Sequence, residues 1–209
     1  MIELKNVDKT FGDRVLFRNL NITIEDGEFV CFSGPSGCGK STLLNMIGGL
    51  EGINAGEILI NGKNIAKRKD RFSCFRDDLG FIFQNFALVE TKTVQENLNL
   101  IAPKSRNDIS VEEALEFVGL SDSADKKIYM LSGGEQQRIA IARLMIKKCN
   151  IVLADEPTGS LDRANVENII MLLKKLHEMG KTVVLVTHSD EVRSAADRII
   201  SIPDLQGKE

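Results

Sequence analysis

Hydrophobic residues along this chain gather in short runs near both ends and in a longer helical rhythm between them. Ile2 to Val7, Val15 to Ile24 and Glu28 to Ser33 read as strands, and Gly56 to Ile60 adds another, whose Asn61-Gly62 dipeptide predicts a hairpin turn. An antiparallel β layer is therefore expected around a first buried strand, GEFVCFS. Leu79 to Phe83 is a further strand, inside the aromatic-rich stretch FSCFRDDLGFIFQNF, and it ends in Gln84. Between Thr93 and Ile146 the apolar positions recur at helical spacing, as in Val111, Ala114, Leu115 and Val118, so a helical insertion is the economical reading, with Gly119 stopping that helix. A helix is expected over Glu135 to Lys148. Strands then return at Ile151 to Glu156 and Val183 to Thr187, separated by a helix from Asn165 to Met179. DRIISI, Asp197 to Ile202, precedes a short polar tail, which leaves no expectation of an appended domain.

One stretch organises the rest. GPSGCGKS, Gly34 to Ser41, follows the first buried strand and has the spacing G-x-x-x-x-G-K-S. Gly34, Gly37 and Gly39 allow a turn tight enough for successive N–H groups to point inward, where phosphate oxygens can accept from them. Lys40 can reach the β- and γ-phosphates, and Ser41 offers a hydroxyl to Mg²⁺. The apolar run Thr42 to Ile47 continues as a helix whose N-terminus favours anions.

A second constellation lies in the other half. LSGGEQQR, Leu131 to Arg138, sets two glycines just before a helix, again a start suited to anions. IVLADE is an apolar strand ending in Asp155 and Glu156, and unpaired charges at a core edge are costly to desolvate; a bound Mg²⁺ would give Asp155 its reason. Three single residues read two ways each. Phe11 in the turn of KTFG can plug a turn or give an adenine ring a stacking platform. Gln84 can be an ordinary loop residue or part of the site, and His188, delivered to the sheet edge by its strand, can be structural or catalytic.

Composition narrows the class. With 209 residues and 43% hydrophobic content, the chain is expected to build one full-sized core. A net charge of -3, with no basic cluster interleaved with aromatics, gives no support to a nucleic-acid partner. The most basic segment, Lys63 to Arg71, reads as a solvated loop, with anionic lipid or an acidic partner face as the other reading. No apolar run approaches the ~20 residues of a membrane span and no signal layout opens the chain, so a cytosolic location is expected. Cys31, Cys38, Cys74 and Cys149 show neither metal-ligand spacing nor a disulfide framework. Three of them read as reduced thiols in core or surface. Cys38 stands apart, because a helix start and a neighbouring lysine both favour thiolate, which predicts alkylation that a ligand in the phosphate loop blocks; a shielded thiol is the alternative.

Through these motifs, in this order and over nearly the whole length, the sequence resembles the nucleotide-binding subunits of ATP-binding cassette (ABC) transporters. LSGGEQQR is the discriminating element, and EPTGSLD and VTHSD are similar to the branch serving macrolide export, lipoprotein release, cell division and bacteriocin export. The resemblance implies an α/β P-loop NTPase fold with a RecA-like core sheet, an N-terminal antiparallel β subdomain and an inserted α-helical subdomain. A single domain over 1–209 is implied, with 1–84 and 147–209 as catalytic core and β subdomain and about 85–146 as the helical subdomain. It also implies roles. Ser33, Gly34, Pro35, Ser36, Gly37, Cys38, Gly39, Lys40, Ser41 and Thr42 would hold the triphosphate of ATP, with Lys40 neutralising developing charge and Phe11 stacking on the base without the phenolic hydroxyl frequent in the family. Ser41, Gln84 and Asp155 would place Mg²⁺, with Gln84 also sensing the attacking water; Glu156 would be the general base or water-polarising group; His188 would contact the γ-phosphate. Ser132, Gly133, Gly134 and Glu135 would engage the nucleotide of an opposite subunit, with Asp162 along the seam, so a homodimer is implied. The stretch around Gln84 to Leu88 adjoins the insertion where the family docks an integral membrane permease, which implies work at the cytoplasmic face of the membrane. The implied function is ATP hydrolysis driving export of a peptide, antibiotic or lipophilic compound. Two other classes compete: a mechanotransmission ATPase whose membrane partner moves no substrate, and a soluble repair or translation ATPase, which the single cassette disfavours.

Overall fold

A computed structural model describes residues 1–159 and 161–205. In chain order, β1 (Ile2–Phe11) and β2 (Arg14–Ile24) form a long hairpin, followed by β3 (Phe29–Ser33), a glycine-rich loop and α1 (Lys40–Ile47). Then come β4 (Ala55–Ile60), β5 (Lys63–Asn64), α2 (Arg68–Asp77) and β6 (Leu79–Ile82). α3 (Val94–Leu98), α4 (Val111–Phe117) and α5 (Gly133–Ile146), joined by short 3₁₀ turns, make the helical insertion. The chain closes with β7 (Ile151–Asp155), α6 (Arg163–Glu178), β8 (Thr182–Val186), α7 (Asp190–Arg193), β9 (Arg198–Ser201) and α8 (Ile202–Leu205).

Two sheets result. β2, β1, β4 and β5 form an antiparallel sheet in that order, and β6, β7, β8, β3 and β9 a parallel one. The inner parallel strands β3, β7 and β8 read as continuous apolar runs because both their faces are covered. Along β3, Val30 and Phe32 face the side where α1 and the antiparallel sheet pack, whereas Phe29 and Cys31 face the side of α5 and α6. α1 is thus sandwiched between two sheets. Its Leu43, Leu44, Met46 and Ile47 are buried, each contributing about 1.5–3 kcal/mol of transfer free energy, enough to seat the loop before it rigidly.

The expected α/β architecture with an antiparallel layer and a helical insertion is what forms, with most element ends shifted by a residue or two; β1 runs on past Val7, so Phe11 ends the strand and pairs with Arg14 rather than sitting in the turn. α4 stops as expected, with Gly119 at φ 67°. All four predicted positions of that helix, Val111, Ala114, Leu115 and Val118, are buried in the core rather than left for a partner. One expectation is overturned: Lys63 to Arg71 is not a solvated loop. Lys63 sits in β5, its amine 2.7 Å from the buried Asp78 carboxylate, and Arg68 opens α2. The helix buries only Cys74 fully, and the guanidinium of Arg68 covers the ring of the exposed Phe72, so its charged sequence carries little periodic signal. No helix among the described residues is long and apolar enough to cross a membrane.

Candidate nucleotide site

The glycine-rich loop leaves the carboxyl end of β3 and wraps the start of α1. Gly34, Gly37 and Gly39 all have positive φ, and at Gly39, φ 102°, an added Cβ would also press on Leu16 at 2.9 Å, so only glycine fits there. Lys40 is the first residue of α1 and is buried; its amine folds back over the loop and donates to the carbonyls of Gly34 at 2.8 Å and Pro35 at 3.0 Å. That accounts for two of its three N–H donors.

At the adjacent strand ends, Ser41 Oγ donates to Asp155 Oδ1 at 2.8 Å. Burial pushes the Asp155 carboxyl above its ordinary range, against the pull of the Ser41 hydroxyl and with Glu156 adding to the rise. Glu156 itself has φ 45°, a left-handed conformation that costs a non-glycine residue about 1–3 kcal/mol and aims its side chain into the cleft rather than along the strand. Its Oε1 lies 3.0 Å from His188 Nδ1, and its Oε2 is buried without a hydrogen-bond partner. His188 stands exposed on the rim.

Gly39, Lys40, Ser41, Glu156 and His188 line one cleft of about 410 Å³ with Phe11, Ser36, Gly37, Thr42 and Gln84, and Asp155 is tied to it through Ser41. Arg14 and Leu16, which the motifs do not single out, line it as well; Arg14 donates to the Gly37 carbonyl at 2.9 Å. The signal for Arg14 is the hairpin register, since it pairs directly with Phe11 across the β1–β2 turn. Ser33 and Cys38 are buried beneath the loop. The expectation of an accessible Cys38 is therefore corrected: its sulfur packs where a Gly34 side chain would begin, at 2.7 Å from that position, and the shielded reading holds.

The remaining residues gather elsewhere. Ser132, Gly133, Gly134 and Glu135 open α5 and do not line the cleft. Ser132 caps the helix and Glu135 accepts from the Ser132 N–H at 2.8 Å, a reciprocal capping box that holds the Glu135 carboxyl below its ordinary value. Gly134 approaches the side chain of Asn165 so closely that a Cβ would meet Asn165 Oδ1 at 2.2 Å. Asn165 is in turn fixed by Asp162, the N-cap of α6, through bonds of 2.9 Å. The α5 start and the Asp162 turn thus form one surface, separate from the cleft; Ser160 of that turn lies outside the described residues.

Ser41, Asp155 and Gln84 supply hydroxyl, carboxylate and amide oxygens, the hard donors that suit Mg²⁺, and the orphaned oxygen of Glu156 and a loop turned through positive φ at Gly34, Gly37 and Gly39 suit a triphosphate beside it. A parallel sheet with a phosphate loop leading into a helix, and paired carboxylates ending the neighbouring strand, defines a P-loop nucleoside triphosphatase.

Residues 17–159 match the family described as ABC transporter. Over 98% of its length the chain is 41% identical to the macrolide export ATP-binding/permease protein MacB of Aggregatibacter actinomycetemcomitans, of which it covers 33%. It superposes with a TM-score of 0.85 and 42% identity on the dimeric structure of the cassette MJ0796 of Methanocaldococcus jannaschii, covering 96% of this chain and 94% of that one. The post-hydrolysis dimer of the same cassette, bound to ADP and Pi, gives 0.84 at 41% identity over 96% of this chain and 94% of that one. The chain belongs to the ABC transporter family as an ATP-binding cassette, and it is an ATPase that uses ATP with Mg²⁺.

Proposed function

We propose that two copies of this chain close around two ATP molecules to drive an integral membrane permease that exports a peptide, antibiotic or lipophilic compound from the cytoplasmic face of the membrane. One observation carries the dimer: the groups expected around a single nucleotide lie on two separate surfaces of the chain, the cleft and the α5–Asp162 face. A second copy brings its α5 face, Ser132 to Glu135, to the open cleft. MJ0796, alike in fold and sequence, is dimeric, and the likeness to MacB supports export.

In this reading Phe11 stacks on the base, the loop N–H groups and Lys40 bind the phosphates, and Ser41, Gln84 and Asp155 would hold Mg²⁺, which would supply charge neutralisation of the phosphates. Glu156 Oε2 accepts a proton from water as the water oxygen bonds to the γ-phosphorus; the bond to the bridging oxygen breaks, leaving ADP and phosphate. His188, 3.0 Å from Glu156 Oε1, orients that carboxylate and faces the γ-phosphate. Residues 1–84 and 147–209 serve as catalytic core and β subdomain, and about 85–146 as the helical subdomain.

The permease seat is an apolar groove of about 340 Å³ between α2, the end of β6 and α5, lined by Phe75, Phe81, Phe83, Ala87 and the exposed Leu100. Arg143 lies in this groove and donates to the carbonyls of Ala87 at 2.6 Å and Phe86 at 3.2 Å, two residues held at positive φ just after Gln84. The groove and the cleft thus share one loop.

The test is affinity capture of tagged Glu156→Gln protein with ATP from detergent-solubilised native membranes. Recovery of an integral membrane protein, lost in a Leu100→Asp variant, is expected; a permease with a transport path supports export over mechanotransmission. Recovery of soluble partners alone would refute the proposal.

A further inference from the structure

Among the described residues Lys9 is a buried cation outside the motifs, 6% exposed, while Phe11 two residues on is 48% exposed and lines the cleft. Residues two apart on a strand share a face, and the amine of Lys9 lies 4.3 Å from the centroid of the Phe11 ring. That amine is not placed by the ring alone. It donates to Glu51 Oε1 at 2.6 Å and to the Gly52 carbonyl at 2.8 Å. Glu51 belongs to the turn that closes α1, where the N–H groups of Leu50 and Glu51 both donate to the Asn45 carbonyl. A continuous chain of contacts therefore runs from the helix that opens at Lys40 to the underside of the Phe11 ring. A cation over one ring face is attracted to its quadrupole and occupies that face, so the base has the other face to stack on.

We infer that Lys9 is a positioning residue for nucleotide binding: fixed by Glu51 and Gly52, it holds the Phe11 ring at a set height above the phosphate loop so that the base and the triphosphate are engaged together. The inference rests on the reading that Phe11 is the base platform. A bare structural role would be met by the ion pair with Glu51 alone. What sets a positioning role apart is that its loss falls on the base and not on the phosphates.

The experiment is titration calorimetry on the full chain without Mg²⁺, so that nothing turns over, with ATP and with inorganic tripolyphosphate as a base-free probe. Lys9→Met is expected to weaken ATP binding about 5-fold while tripolyphosphate stays within about 1.5-fold, and in a Phe11→Ala background the added effect of Lys9→Met on ATP is expected to shrink below about 1.5-fold. Lys9→Gln is the companion variant. Its amide keeps a donor for Glu51 or Gly52 and so preserves the fold, but it removes the charge from the ring, and the same selective loss of ATP binding is expected. If tripolyphosphate weakens as much as ATP, or if the loss persists without Phe11, Lys9 merely supports the loop and the inference is overturned. If Phe11→Ala by itself leaves the ratio of ATP to tripolyphosphate affinity unchanged, the platform reading fails first, a different result from failure at Lys9.

Discussion

Replacing Glu156 by Gln separates the chemistry of the site from its stability. The substitution keeps the shape of the side chain, and an amide oxygen can still accept from His188 Nδ1, now at 3.0 Å from Oε1. It removes the group proposed to accept the proton of the attacking water. General bases contribute about 10²–10⁴-fold, so turnover should fall at least about 100-fold, or about 2.7 kcal/mol of barrier. The folded state should move the other way. Glu156 Oε2 is buried with no partner, and leaving a charged acceptor unmade costs about 1–3 kcal/mol, of which a neutral amide recovers a part. The contact with His188, whose ring is exposed, is kept as a hydrogen bond by the amide oxygen, so its change costs under about 1 kcal/mol. The net gain is therefore about 1 kcal/mol, which for a chain of this size raises Tm by about 2–4 °C. Single-turnover phosphate release and differential scanning calorimetry on the same preparation read both quantities. Turnover within about threefold of wild type would refute the base assignment, and a lowered Tm would refute the argument from the unpaired oxygen.

Acid should loosen the helical insertion first. Glu96, Glu113 and Glu135 each accept from the N–H of their own N-cap residue, Thr93, Ser110 or Ser132, and those bonds hold their carboxyls below the ordinary 4.5. Because the folded values are depressed, this stabilisation is complete above about pH 4.5 and is lost as pH falls through the folded values. Amide exchange near pH 3.5 should therefore accelerate in α3, α4 and the start of α5 before β3, β7 and β8; simultaneous loss of protection would contradict the mechanism. The thiols should be inert in the native protein. Burial pushes Cys31 up to about 12 and Cys74 up to about 11 and raises Cys149, and Cys38 is packed under the loop. Mass spectrometry after alkylation at neutral pH should find the four cysteines modified in urea and untouched natively, with ATP making no difference; rapid native labelling of Cys38 would show the loop to be open.

Much of the fold and site was legible because local backbone chemistry carries it. A loop that needs positive φ at Gly34, Gly37 and Gly39, an apolar strand ending in Asp155 and Glu156, and a Ser132–Glu135 capping box are specified by residues within a few positions of one another. The phosphate loop, the strand ends and the start of α5 could therefore be read directly. Tertiary structure decided what depends on distant neighbours. α2 escapes notice because only Cys74 of its ten residues is fully buried, and that follows from β6 and the turn at Asp78. Cys38 has the local setting of a reactive thiol, yet the packing of the loop under Gly34 shields it. Arg14 enters the cleft through its cross-strand pairing with Phe11, Leu16 through the register shift between Val15 and Phe17, and Lys9 meets Phe11 only because the turn after α1 reaches back to hold its amine. Above all, only the folded chain separates the cleft from the α5–Asp162 face, since motif order along a sequence says nothing of the direction in which each surface points.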